Sequence, residues 1–153
     1  MNNTHKRHPK SSVAYGRNKL NKAFDGELEG RKIAIWGLSF KPDTDDMREA
    51  PSRTLMESLW EVGAIVQAFD PKAMDETRRI YGDRDDLILV QDRNSAVSGA
   101  DALVICTEWK NFRAVDLTWL KKQLTKPIIV DGRNLFEPAQ AHEAGLKYYA
   151  VGR

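Results

Sequence analysis

KIAIWGLSFKPDTDDMREAPSR, Lys32 to Arg53, is the stretch whose reading decides the fold. An apolar run, Ile33 to Trp36, meets Gly37; a polar loop follows with Phe40, Lys41, three aspartates, Arg48 and two prolines, and a helix then begins. Strand, loop and helix in that order are the opening of an α/β unit. In an open α/β sheet, the loop leaving the carboxyl end of the first strand lies beside the topological switch point, where ligands bind. This stretch therefore points to a site before any chemistry is assigned.

Outward from it, short apolar runs alternate with helix-like segments, as in a mostly parallel sheet built from βαβ units. The expected strands are Lys32 to Leu38, Ile65 to Phe69, Leu87 to Val90, Ala102 to Cys106, Ile128 to Val130 and Lys147 to Val151. Most are apolar throughout, which fits strands covered on both faces. The clearest helix is Ser52 to Val62, with Leu55, Met56, Leu59 and Trp60 on one stripe and either Thr54 with Glu57, or Ser52 alone, as its cap. Weaker helices are expected at Ala73 to Tyr81, Arg93 to Ser98, Leu117 to Leu124 and Pro138 to Ala144. The fold class is a Rossmann-like open sheet with helices on both faces.

Function then belongs to the turns Gly37 to Ala50, Asp70 to Lys72, Thr107 to Phe112 and Asp131 to Asn134. In the usual doubly wound order the first and fourth strands are neighbours, so Phe40 and Lys41 face Glu108, Trp109 and Lys110, with Arg133 one strand further. Two cations and two aromatics on one rim suit an anionic ligand with a flat ring. A plainer account stands beside this one. Lys41 and Arg133 read equally well as solvated charges paired with Asp43, Asp45 or Asp131, and Trp109 and Phe112 as covers for the sheet's end. Asp45, Asp46 and Glu49 look like a metal cluster, but acids this close more often cap a helix or pair with Arg48 and Arg53. Asp70 occupies the place of a ribose-binding acid, yet Gly37-Leu38-Ser39-Phe40 carries no further glycine, so the pyrophosphate fingerprint is absent.

Met1 to Gly30 differs from the rest. Lys6, Arg7, Lys10, Arg17, Lys19 and Lys22 all precede the first acid, Asp25, which suggests a mobile basic tail with a short helix between Ala14 and Phe24. Residues 31–153 form the folded domain. His5 and His8 lack companions for a metal and are expected to be solvated. A net charge of +2 is too weak an excess to argue for nucleic-acid or membrane binding, and only the charge run of the tail favours nucleic acid. No run approaches a membrane span, and the start lacks a signal peptide's apolar segment, so a cytoplasmic location is expected. The single cysteine, Cys106, lies in an apolar run and is expected to be a buried, unreactive core residue.

GLSFKPDTDDMREAPS (Gly37 to Ser52), FDP (Phe69 to Pro71), ADALVICTEW (Ala100 to Trp109) and DGRN (Asp131 to Asn134) together resemble the C-terminal, UDP-binding domain of the UDP-glucose/GDP-mannose dehydrogenase family, and within it the UDP-glucose 6-dehydrogenases. The resemblance runs from about Gly30 to the end. It implies a nucleotide-sugar-binding domain in which Phe40, Lys41 and Arg133 contact the UDP-sugar and Arg48 reaches the cofactor, NAD. Complete members oxidise the sugar C6 alcohol to a carboxylate through a thioester on a cysteine, with an N-terminal NAD-binding domain and a central dimerising helix. The glycine-rich cysteine motif of that chemistry is missing here, as are the NAD-binding glycines, so no catalytic residue is assigned. The implied partners are a UDP-sugar, a separate chain that could supply the N-terminal half, and further copies, since complete members are homo-oligomers. The competing expectation is a non-catalytic interaction module or a relic that no longer binds nucleotide.

Overall fold

The computed structural model describes residues 9–151, with side chains described from Val13 onward. Six strands, β1 (Lys32–Trp36), β2 (Ile65–Phe69), β3 (Leu87–Leu89), β4 (Ala102–Ile105), β5 (Ile128–Asp131) and β6 (Lys147–Ala150), form one sheet in the order β3-β2-β1-β4-β5-β6. Every pairing is parallel. Strands are added on one side of β1 up to β3 and on the other side from β4 onward, so the switch point lies between β1 and β4, where the sequence places it.

Strand period explains why both faces are covered. Along β1, Ile33 and Ile35 enter one core while Ala34 and Trp36 enter the other, and all four are fully buried. The first core is closed by α1 (Pro9–Ala23), α2 (Pro51–Glu61) and α3 (Met74–Tyr81); the second by α4 (Arg93–Val97), α5 (Lys110–Arg113), α6 (Leu117–Gln123) and α7 (Pro138–Glu143). Helix α2 buries Leu55, Met56 and Leu59 at helical spacing, each contributing about 2 kcal/mol by removal from water. In the second core Trp36 stacks on Phe112 with ring centroids 5.1 Å apart.

Three local expectations need correction. Helix α2 begins at Pro51 with Ala50 as N-cap and no side-chain cap; Ser52 is buried and its hydroxyl donates instead to the Leu38 carbonyl at 2.6 Å. A short helix, α5, replaces the turn expected up to Phe112. The N-terminal stretch is no tail from Pro9 onward, for Val13, Leu20, Phe24 and Leu28 are buried in the first core. Arg17 donates to Ser58 of α2 at 3.0 Å, and Arg31 lies 4.8 Å from the Phe24 ring centroid. Burying these side chains is what outweighs the self-repulsion of a basic segment. His5 and His8 lie outside the described residues. Among the described residues no helix is long and apolar enough to cross a membrane.

Candidate functional site

The loop after β1 is fixed almost entirely through its backbone. Gly37 takes φ +94°, and a β-carbon there would lie 2.5 Å from Thr107 Cβ, so the loops after β1 and β4 meet at a point where only glycine fits. Beyond it, the Leu38 and Ser39 amides donate to one oxygen of Asp70 at 2.7 and 2.9 Å. The Ser39 carbonyl accepts from Thr107 Oγ1 at 2.6 Å, the Ser39 hydroxyl donates to the Lys41 carbonyl at 2.9 Å, and the Phe40 amide donates to the Asp46 carbonyl at 2.7 Å. Asp43 and Glu49 hold left-handed φ values of 67° and 54°, a conformation that non-glycine residues keep only where their surroundings enforce it.

Asp70, at the end of β2, is fully buried and holds three segments together. Its second oxygen accepts the Lys72 and Ala73 amides at 2.8 and 2.9 Å, while the first also accepts Trp109 Nε1 at 3.2 Å and lies 3.2 Å from the Ser39 hydroxyl. A carboxylate so saturated by protein donors has no capacity left for a ribose. That removes the ribose-binding reading of Asp70. Trp109 is buried by the same bond, so of the two aromatics expected on the rim only Phe40, 41% exposed, faces solvent.

Asp131 plays the corresponding part at the end of β5. It is buried and accepts the Arg133 amide at 2.9 Å on one oxygen, and the Leu135 amide at 2.5 Å and the Tyr148 hydroxyl on the other. The Arg133 guanidinium turns to Glu108 on the neighbouring strand's loop. Its Nε and Nη2 donate to the two carboxylate oxygens at 2.9 and 3.2 Å. Burial pushes the Glu108 carboxyl up, but the Arg133 fork outweighs it and the group stays below the usual range. Asp131 therefore anchors the Arg133 backbone, and Glu108 takes the place offered to the aspartates as side-chain partner.

Arg48 forks onto Asp46, Nε and Nη2 lying 3.1 and 3.0 Å from its oxygens, with a side chain 88% exposed. Those hydrogen bonds hold the Asp46 carboxyl down at about 2, so the pair keeps both charges into strong acid. Arg53 instead meets the Tyr81 hydroxyl at 3.3 Å. Among the described residues, no group of three His, Cys, Asp or Glu side chains is arranged to hold a metal. Lys41 is exposed and joins no salt bridge among them. Between α1, α2 and the ends of β4 and β5 lies a crevice of about 40 Å³, lined by Gly16, Leu55, Cys106 and Arg133 among others. It has room for a little water and not for a base. Burial lifts the Cys106 thiol to about 12, Arg133 opposing and Asp131 adding to the shift, which keeps it from acting as a thiolate at neutral pH.

The rim thus presents Phe40 and Lys41 on the loop after β1 and Arg133 on the loop after β5, with β4 between the two strands and Glu108 on its loop. Sequence reasoning missed the buried aspartates beneath it; the signal available was an aspartate closing an apolar run ahead of a turn, in FDP and VDGRN.

Comparison with known proteins gives concordant findings. A family model described as UDP-glucose/GDP-mannose dehydrogenase family, UDP binding domain, matches residues 34–138. UDP-glucose 6-dehydrogenase of Pseudomonas aeruginosa is 44% identical over 137 residues, 88% of this chain and 30% of that protein. The enzyme of the same name from Rhizobium meliloti is 40% identical over 140 residues, 92% of this chain and 31% of its own. The structure of a UDP-glucose dehydrogenase from Pyrobaculum islandicum superposes with a TM-score of 0.73 at 30% identity, covering 91% of this chain and 29% of that one. The chain spans about 30% of the length of the curated relatives it matches.

Proposed function

Because the chain belongs to the UDP-glucose/GDP-mannose dehydrogenase family and corresponds to its UDP binding domain, we propose that it binds the nucleotide part of a UDP-sugar within an NAD-dependent UDP-glucose 6-dehydrogenase. The observation that carries this reading is the rim itself: a free ammonium at Lys41, a guanidinium at Arg133 with donors to spare and an exposed ring at Phe40, all set on loops whose backbones are tied down from below. Lys41 and Arg133 neutralise diphosphate, the first as a point charge and the second as a planar fork, and Phe40 packs on the flat part of the ligand. Because the loops are held by Asp70, Thr107 and Asp131, little ordering entropy remains to be lost on binding.

The domain's contribution to catalysis is positioning rather than bond making. Its cysteine is buried in the core, and the buried acid at the end of β2 has no acceptor left for a ribose. NAD, which supplies hydride acceptance, is held by a different part of the complete enzyme, and Arg48 reaches toward it from the rim. In a complete dehydrogenase, Arg48→Ala raises the Michaelis constant for NAD about tenfold and that for the sugar by less; the reverse ranking would remove Arg48 from this role.

Calorimetric titration of the purified chain with UDP and UDP-glucose, alongside GDP, tests the reading. Saturable uridine-nucleotide binding that weakens about tenfold on Lys41→Ala is the expected result. A folded domain that fails to bind uridine nucleotides both alone and after the dinucleotide-binding half is added back overturns it.

A further inference from the structure

We infer that Glu108 is a positioning residue of this site: its carboxylate grips the side of the Arg133 guanidinium and so presents the remaining N–H groups to a phosphate. The inference rests on the UDP-binding reading above. Arg133 has five donors on its side chain, and the pair with Glu108 occupies one at Nε and one at Nη2, at 2.9 and 3.2 Å. The other three have no protein acceptor among the described residues. A guanidinium held along one side in this way can still receive an anion end-on with two parallel hydrogen bonds.

Both halves of the pair are themselves immobilised. Glu108 emerges between two buried residues, Thr107, whose hydroxyl donates to the Ser39 carbonyl at 2.6 Å, and Trp109, whose indole donates to Asp70 at 3.2 Å. Arg133 follows Gly132, whose amide donates to the Ile105 carbonyl at 3.0 Å, and its own amide donates to Asp131. Asn134, next in the chain, holds a left-handed φ of 57°. Neither side chain can retreat by moving its backbone. An ion pair about one-third exposed on both sides contributes little to stability, so the consequence of this geometry is to be sought in binding. A purely electrostatic account predicts the opposite sign: removing a negative charge beside an anion site would tighten binding.

The test is calorimetric titration with UDP of the unmodified chain and of Arg133→Ala, Glu108→Ala and Glu108→Gln, each checked by thermal melting. It is paired with the arginine Nε–H signals in NMR, assigned by the loss of one peak in Arg133→Ala. Expected are about tenfold weaker binding in Glu108→Ala with an unchanged melting temperature, partial rescue in Glu108→Gln, which keeps one acceptor, and an exchange-protected Arg133 Nε–H that loses protection in Glu108→Ala. Binding that is equal or tighter in Glu108→Ala while Arg133→Ala weakens it overturns the positioning role and leaves the UDP reading standing. If the unmodified chain does not bind UDP, the NMR signal decides alone: protection that depends on Glu108 supports the positioning role, and an Arg133 signal indifferent to Glu108 overturns it.

Discussion

Replacement of Asp70 by alanine is expected to destabilise the domain by about 4 kcal/mol, seen as a fall of about 12 °C in melting temperature. The carboxylate is fully buried and receives four backbone amides, from Leu38, Ser39, Lys72 and Ala73, together with the Trp109 indole. Deleting it strands those donors in a place water does not reach, and an unsatisfied buried donor costs about 1 kcal/mol or more. Asp70→Asn keeps the shape and one acceptor oxygen but turns an amide toward two of the donors, so about half the loss is expected. Circular dichroism melts of both variants decide the matter: if Asp70→Ala melts within about 2 °C of the unmodified chain, a shift worth less than about 1 kcal/mol, Asp70 does not hold these loops together.

Gly37→Ala should cost about 3 kcal/mol. The new methyl would lie 2.5 Å from Thr107 Cβ and 2.6 Å from Thr107 N, on a residue with φ +94°. Two effects are combined there, left-handed strain and a collision with backbone that cannot yield without moving β4's loop. Gly26→Ala separates them: φ is +78° and nothing lies within 4 Å of the added carbon, so strain alone remains and about 1 kcal/mol is expected. Urea unfolding of both variants gives the comparison, and equal losses would show that the contact with Thr107 is of no consequence.

The sheet was legible because its strands are apolar runs of the right length separated by turn residues, and because a doubly wound order makes β1 and β4 neighbours. The helix of the N-terminal segment was harder to see. The segment's buried residues, Val13, Leu20, Phe24 and Leu28, are spread over 16 positions among lysines, arginines and asparagines, and Phe24 and Leu28 follow the helix rather than lie in it. Trp109 had two readings, rim or cover for the sheet's end, and the second holds; the partner that draws its indole inward, Asp70, lies 39 residues away. The pairing of Glu108 with Arg133 spans 25 residues and depends on side-chain direction, which strand order alone does not specify. Phe40, Lys41 and Arg133 could be singled out because each lies in a loop that follows a strand, whereas Arg48, far along the loop toward α2, stood out only through the family resemblance.

The strand order also governs how this chain can assemble. β1 pairs with β2 on one side and with β4 on the other, in registers such as Ile35 with Ala68 and Ile35 with Val104. The first partner lies some thirty residues downstream and the second some seventy. During synthesis β1, β2 and β3 can zip together while the opposite edge of β1 remains bare, an apolar template of Ile33, Ala34, Ile35 and Trp36 awaiting Ala102 to Ile105. Non-local parallel pairings of this kind are slow to close, and open edges invite the wrong strand. The interval before β4 arrives is therefore when this chain is most exposed to misfolding, and the centre of the sheet, which carries the rim, is completed late.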